Sequence, residues 1–244
     1  MTYDEGQALT LRWLGDAGLA ACARVLDVGC GPGNLARLVL ERIGAGGSLV
    51  GLDRDVTFLE QARAQHQGRD ATFLPADLAG ELPRDLGTFD AIVGRRVLMY
   101  LPDPAATLRR LLTHLRPGGT VFFQEFILLD SPTLLPLHDR VRGWMKTMLE
   151  EERASWQFGR ELPRVFSAAG LPPPVMRAEA DMASPGQPDS LADRVRFVLP
   201  RLMQAGINAD DIGIDTLAAR LRAERDARGE PWLGELAVAA WVKA

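Results

Sequence analysis

Hydrophobic and polar positions alternate between two periods along this chain. Short, continuous apolar runs fall at Val25–Val28, Ser48–Asp53, Ala71–Leu74, Phe89–Val93 and Thr120–Phe126. Between them lie stretches with apolar residues three and four apart, as in Leu35, Leu38 and Val39, or Phe58, Leu59 and Ala62, or Leu108, Leu111 and Leu112. Runs of the first kind read as strands buried on both faces, and stretches of the second kind read as helices with one apolar stripe. Strict alternation of the two predicts an α/β domain with a doubly wound parallel sheet. An amphipathic helix around Leu9, Leu11, Trp13, Leu14 and Leu19 precedes the first strand. After residue 126 the pattern is less regular. Helical spacing recurs over 131–155 and 163–170, strands are expected at 175–182 and 235–242, and two further helical patterns lie at 191–205 and 214–228. The expectation is one domain over 1–244 with seven strands. Its parts are an N-terminal helix within 1–24, a core at 25–126, a lid at 127–170 and a helical insertion at 183–232.

The first strand ends in Asp27-Val28-Gly29-Cys30-Gly31-Pro32-Gly33-Asn34. Glycine at alternate positions lets the backbone turn sharply and lets a ligand approach it closely, and a helix N-terminus there suits a polar or anionic group. Two ligand classes use such turns. A dinucleotide fingerprint spaces its glycines G-x-G-x-x-G, and here the third glycine comes one residue early, with Asn34 in its place. The form Asp-x-Gly-x-Gly-x-Gly resembles motif I of the class I S-adenosylmethionine-dependent methyltransferases, which share a Rossmann-like fold. That resemblance implies that the amino-acid end of the cofactor rests on Gly29, Cys30, Gly31 and Gly33, with Asp27 beside its amino group.

Further residues extend the resemblance in unbroken motif order over about 22–126. Asp53 closes the second strand, where a carboxylate can accept from both ribose hydroxyls, although such acids also cap helices. Neighbouring Arg54 is placed to pack on the adenine. Asp77 with Leu78 follows the third strand, where the family puts an acid near the adenine amino group. The loop after the fourth strand, from Gly94 and Arg95 to Tyr100, is the family's lining for cofactor and acceptor. Gly94, Arg95 and Arg96 replace the acid or asparagine of many relatives, which disfavours acid-dependent amine or metal chemistry and suits Arg95 to an anionic or carbonyl-bearing acceptor. Leu115-Arg116-Pro117-Gly118-Gly119 before the fifth strand matches the family's turn at that point.

The acceptor side is less legible. Tyr3 precedes an N-terminal helix that the resemblance folds over the cofactor. Trp144 and Met148 stand at helical spacing with Met145, which fits either a lid around an apolar acceptor or the core of an added helical layer. Two general bases are in view: Glu125, near the end of the fifth strand, and His138, in the expected lid.

Composition narrows the partners. The formal net charge is −4, and 26 of the 28 basic residues are arginine, Lys146 and Lys243 being the lysines. Those arginines are interspersed with acids, a distribution that disfavours nucleic acid. No apolar run is long enough to cross a bilayer and no secretory pattern opens the chain, so a cytoplasmic protein is expected. Cys22 and Cys30 have no metal-ligand spacing, and no metal is expected. The reading is methyl transfer from S-adenosyl-L-methionine, with S-adenosyl-L-homocysteine as product, to an oxygen or nitrogen of a small apolar or aromatic metabolite. A homodimer is left open. The alternatives are a cofactor-binding pseudoenzyme or regulatory module, and an NAD-dependent oxidoreductase, which the absence of a Tyr-x-x-x-Lys pair disfavours. Methylation of RNA or protein is disfavoured by the acidic balance and by the lack of an Asn-Pro-Pro-Tyr-like tetrad.

Overall fold

The computed structural model describes residues 3–129, 133–188 and 190–244. Strands and helices alternate through the first half: α1 (Tyr3–Asp16), β1 (Arg24–Val28), α2 (Asn34–Ile43), β2 (Ser48–Asp53), α3 (Val56–Gln65), β3 (Ala71–Pro75), β4 (Phe89–Arg95), α4 (Pro104–Leu112) and β5 (Leu115–Ile127). The second half holds α5 (Pro136–Glu151), α6 (Leu162–Ala168), β6 (Val175–Ala183), α7 (Leu191–Gln204), α8 (Ala209–Ile212), α9 (Ile214–Arg228) and β7 (Trp232–Lys243). Seven strands form one sheet in the order β3-β2-β1-β4-β5-β7-β6. β1 pairs in parallel with β2 and β4, β2 with β3, and β4 with β5. The order reverses beside β1, which opens a crevice at the carboxyl ends of β1 and β4, where doubly wound sheets receive ligands.

Two details differ from expectation. Pro117-Gly118-Gly119 does not separate a helix from β5. It lies inside a longer strand, in the stretch where the pairing with β4 shifts register between Phe89 and Ala91, and Gly118 has φ +76°. The region between β6 and β7 carries three helices rather than two, because Gly213, at φ +55°, ends short α8 and starts α9. The described residues group into two compact units. A core unit comprises residues 8–125, 158–177 and 238–244, and a helical unit comprises 1–7, 126–157 and 178–237.

In the core unit β1 is almost wholly enclosed, with Val25, Leu26, Asp27 and Val28 at zero exposure. Leu35, Leu38, Val39 and Ile43 of α2 are buried too, the consequence of the stripe read from their spacing. Phe122 stacks near Trp241, and Phe123 meets Phe166 edge-on with ring centroids 6.2 Å apart. Successive residues of β5 therefore serve opposite faces of the sheet. α1 is fixed to β5 by Thr10, whose Oγ1 donates to Gln124 Oε1 at 2.8 Å.

The helical unit is organised around a buried ionic cluster. Adjacent residues of α9, Glu224 and Arg225, grip His138 near the start of α5. Glu224 accepts from the His138 Nδ1 side at 2.8 Å and from the backbone N–H groups of Leu137 and His138 at 2.7 and 3.2 Å. It is an N-cap supplied from another helix, where a negative charge also complements the helix dipole. Partial burial opposes ionisation of Glu224, but these hydrogen bonds outweigh it and hold its carboxyl below the usual range. Arg225, fully buried, places Nη1 3.1 Å from His138 Nε2 and Nη2 2.6 Å from the Gln187 carbonyl. An arginine can only donate, so the imidazole accepts at Nε2 and is neutral, with its proton on Nδ1.

Glu224→Ala should lower the stability of the chain by about 1–3 kcal/mol, since it uncaps α5 and leaves the buried His138 Nδ1 without its acceptor. Thermal unfolding at pH 7 checks this. Acid should produce the same loss in the wild type, because a carboxylate held below its ordinary pKa contributes stability that disappears as pH falls through its folded value.

Candidate functional site

β1 delivers its chain to the glycine turn in a conformation only glycine tolerates well: Gly29, Gly31 and Gly33 have φ of +64°, +52° and +93°. Two of them also lack room for a side chain. A Cβ on Gly29 would lie 2.3 Å from a Val97 methyl, and one on Gly33 would lie 2.7 Å from His66 Nε2. A Cβ on Gly31 would meet nothing within 4 Å, so there the backbone itself faces open space.

The amides of this turn are already committed. Cys30 N–H donates to the Leu52 carbonyl at 3.0 Å, Gly31 N–H to Asp53 Oδ2 at 2.8 Å, and Gly33 N–H to the Cys30 carbonyl at 3.0 Å. Pro32 has no N–H to offer. Contrary to the expectation of amide donors held out for a ligand, residues 30–33 form no nest for a phosphate.

Asp27 presents the opposite character. Its carboxyl is entirely buried, and neither oxygen has a hydrogen-bond partner. Burial pushes its pKa up to about 8, Arg95 opposes the shift, and Asp53 adds to it. A buried polar group without a partner is costly, and such groups concentrate where a ligand supplies the missing partner. Burial, and then the nearby charge of Asp27, push the Cys30 thiol up as well, which makes Cys30 a small packing residue rather than a reactive one.

Asp53, at the end of β2, is partly exposed. One oxygen holds Gly31 and the other accepts from Asp55 N–H at 2.9 Å. It fixes the shape of the turn, and a carboxylate retains lone pairs for hydroxyl donors beyond these two. Arg54 and Asp77 are exposed at the ends of β2 and β3. Asp77 Oδ1 accepts from Ala79 N–H at 2.9 Å, and the buried Leu78 is held through its carbonyl by Thr107 Oγ1 at 3.2 Å and Arg110 Nη2 at 2.5 Å. Gly94 has no space for a Cβ, which would sit 2.6 Å from Phe123. Arg95 is half-buried, with Nη1 3.5 Å from Thr10 Oγ1. Tyr100, also half-buried, ends a single 3-10 turn at Leu98–Tyr100. The structure thus gathers Asp27, Gly29, Cys30, Gly31, Gly33, Asp53, Arg54, Asp77, Leu78, Gly94, Arg95 and Tyr100 in the core unit.

Glu125 is also in the core unit, but its geometry is that of a positioning residue. Its Oε1 accepts from Val97 N–H at 3.0 Å and from Leu98 N–H at 2.9 Å, both buried. Arg96 turns the chain between β4 and these amides at φ +55°, a conformation that a non-glycine residue adopts only under constraint. Its N–H is held by the Gln124 carbonyl at 2.8 Å. Burial raises the Glu125 pKa to about 7 against the pull of those two amides, and Oε2 has no partner. Through Oε1, Glu125 is a clamp on the loop that presents Val97 to Gly29, a role that the expectation of a base did not foresee.

Other acceptor-side expectations are corrected too. His138 has zero exposure, and both ring nitrogens are engaged by Glu224 and Arg225, so it is an anchor of α5 and not a general base. Met148 is buried in the packing of the helical unit, whereas Trp144 keeps partial exposure. The Tyr3 side chain lies outside the described residues. His66 was not anticipated. From the end of α3 its Nε2 lies 3.0 Å from the Gly33 carbonyl and its ring stacks on Phe73, with centroids 5.6 Å apart. Its signal in the sequence was faint, a histidine one residue beyond a helix with no motif around it.

Glu125→Ala should destabilise the core unit by about 2–3 kcal/mol, because two buried N–H groups lose their acceptor. Glu125→Gln should cost under about 1 kcal/mol, since its amide oxygen accepts the same two bonds. Denaturant unfolding of both variants distinguishes a clamp from a residue needed for its charge.

Comparison with known proteins bears on the same region. A family model described as a methyltransferase domain matches residues 7–172. Trans-aconitate 2-methyltransferase of Rhizobium rhizogenes is 37% identical over 120 residues, covering 49% of this chain and 45% of that protein. A ubiquinone biosynthesis O-methyltransferase of Vibrio parahaemolyticus is 34% identical over 102 residues, covering 41% and 42%. The chain spans about half the length of the curated relatives it matches. Among solved structures, the YcgJ protein from Bacillus superposes with a TM-score of 0.60 at 17% identity, over 99% of this chain and 100% of that one. A putative sarcosine dimethylglycine methyltransferase from Galdieria sulphuraria gives 0.56 at 13% identity, over 95% and 84%. At such identities the likeness concerns the fold.

Proposed function

Because the chain belongs to the methyltransferase domain family, we propose that it binds S-adenosylmethionine at the glycine turn and transfers its methyl group to a small molecule. The observation that carries this reading is the contrast between the turn and Asp27. Amides 30–33 are spent within the protein, which suits no pyrophosphate, while an unpartnered buried carboxyl awaits a cation. A ligand with an ammonium group at one end and a nucleoside at the other meets both conditions. Bare backbone at Gly31 lets it lie close, Asp53 takes the ribose hydroxyls while keeping Gly31 in place, and Asp77 and Leu78 receive the adenine edge.

When bound, the cofactor supplies an activated methyl on a sulfonium centre. What remains for the protein is alignment of a nucleophile behind that methyl and exclusion of water. The loop after β4 is built for alignment. Glu125 fixes its backbone, Gly94 lets it pack on Phe123, and Val97 seats it against Gly29. Arg95 brings a guanidinium to this end of the sheet, a group suited to a carboxylate or carbonyl on the acceptor. Trans-aconitate and a ubiquinone precursor step name the acceptor chemistry of relatives, and we take a small oxygen nucleophile as the acceptor class here. No general base is assigned, since an ionised oxygen acceptor needs none.

Calorimetric titration with S-adenosylhomocysteine, with NAD as control, tests the cofactor. Binding of the first and not the second is expected, and Asp53→Ala should weaken it at least tenfold, about 1.4 kcal/mol, by loosening Gly31 and removing the ribose acceptor. Transfer of labelled methyl to small organic acids and phenols then tests the activity. Tight cofactor binding without transfer to any acceptor would instead identify a binding module.

A further inference from the structure

Asp27 has a further property that its place in the site does not require. We propose that cofactor binding expels one proton, with Asp27 a neutral acid in the free protein and a carboxylate only once the ammonium group of the ligand is beside it. This rests on the cofactor reading given above and adds to it a coupling between binding and pH.

The argument begins with geometry. Asp27 lies at the fourth position of a five-residue strand, covered on both faces, and both its oxygens lack any donor. On the β2 side Asp53 stands beside it, already committed as a carboxylate acceptor to Gly31 and Asp55, and a second negative charge there is disfavoured. On the β4 side Arg95 is the favourable charge, and it is partly drawn toward Thr10. Cys30 in the turn is held as a neutral thiol by burial. Of the charges of α2, Arg37 and Glu41 pair with each other on its exposed face, and Arg42 is exposed in the last turn. One cation at the side of a fully buried carboxyl does not offset desolvation together with a neighbouring carboxylate, and the upward shift of Asp27 to about 8 follows from the same groups.

An incoming ammonium group changes the balance. It places a full positive charge and N–H donors against the two bare oxygens, so the ionised form becomes the favoured one. The O–H bond of Asp27 breaks, its proton passes to solvent, and no covalent bond to the ligand forms. By linkage, affinity must then rise with pH wherever the free protein holds the proton and the complex does not. That sign is opposite to the one expected if the amino group of the ligand were the titrating partner.

The test uses the full chain and S-adenosylhomocysteine as probe. Calorimetric binding enthalpies at pH 7 in phosphate, imidazole and Tris, plotted against buffer ionisation enthalpy, should give a slope of about one proton released. Affinity of the wild type should rise about tenfold per pH unit between pH 6 and 7.5 and level off above pH 8. In Asp27→Asn, which keeps shape and neutrality, both dependences should vanish and affinity at pH 8 should fall at least tenfold. Binding by the wild type with no proton release overturns this proposal and leaves the cofactor reading standing. Release that persists in Asp27→Asn overturns the assignment to Asp27. Failure of the wild type to bind at all overturns the cofactor reading and this proposal with it.

Discussion

Everything at the ligand end of the core unit depends on one close approach, the packing of Val97 against a residue 29 that has no side chain. The two are brought together by different strands. β1 carries Gly29 in, β4 carries Val97 in, and the parallel pairing of Val28 with Gly94 sets them level. A methyl group on residue 29 would overlap Val97, so the turn and the loop after β4 behave as one surface. Glu125 reinforces that surface from β5 and Asp53 from β2. Four adjacent strands thus converge on a few ångströms of backbone, which a loop standing alone could not hold so closely.

This arrangement separates two kinds of acid that look alike in a sequence. Asp53 spends both oxygens, and Glu125 one, on backbone N–H groups, and both act as struts. Asp27 spends none. The difference is invisible in composition or spacing, because it depends on which amides each carboxyl can reach after folding. On the proposed reading, it also accounts for how one glycine-rich turn would serve a ligand without phosphate. The amides that would otherwise cradle an anion are used up by Leu52, Asp53 and Cys30.

The fold of the first half was legible because unbroken apolar runs, the mark of buried parallel strands, alternate cleanly there with stretches of period 3.6. The bounds of β2 follow the pattern residue for residue, and β3 extends one residue past its apolar run, to Pro75. β5 was longer than its apolar run, since Pro117 and the two glycines after it continue the strand through an irregular register instead of ending it. The acceptor side was read less well. His138 looked like a base because histidine at a helix start in an expected lid fits that role, and only the positions of Glu224 and Arg225, more than eighty residues away, show that it is an anchor. Met148 followed the same course, its helical spacing fitting core and lid equally. His66 escaped notice because its partner is a carbonyl, and every residue has one.

The cap on α5 carries a consequence for the order in which the chain acquires structure. Its acceptor sits 87 residues downstream of the first amide that it satisfies. A nascent chain emerging from the ribosome therefore exposes α5 with open amides and an unanchored imidazole until α9 has been synthesised, by which time the residues of β1 to β5 have long been available. Local contacts form first and distant ones close later, at the cost of a large loop. The α5–α9 pairing accordingly consolidates late, as does β7, whose residues come after α9 and lie beside β5 in the sheet, and a chain interrupted between α5 and α9 retains β1 to β5 while losing the ionic cluster that ties those two helices together.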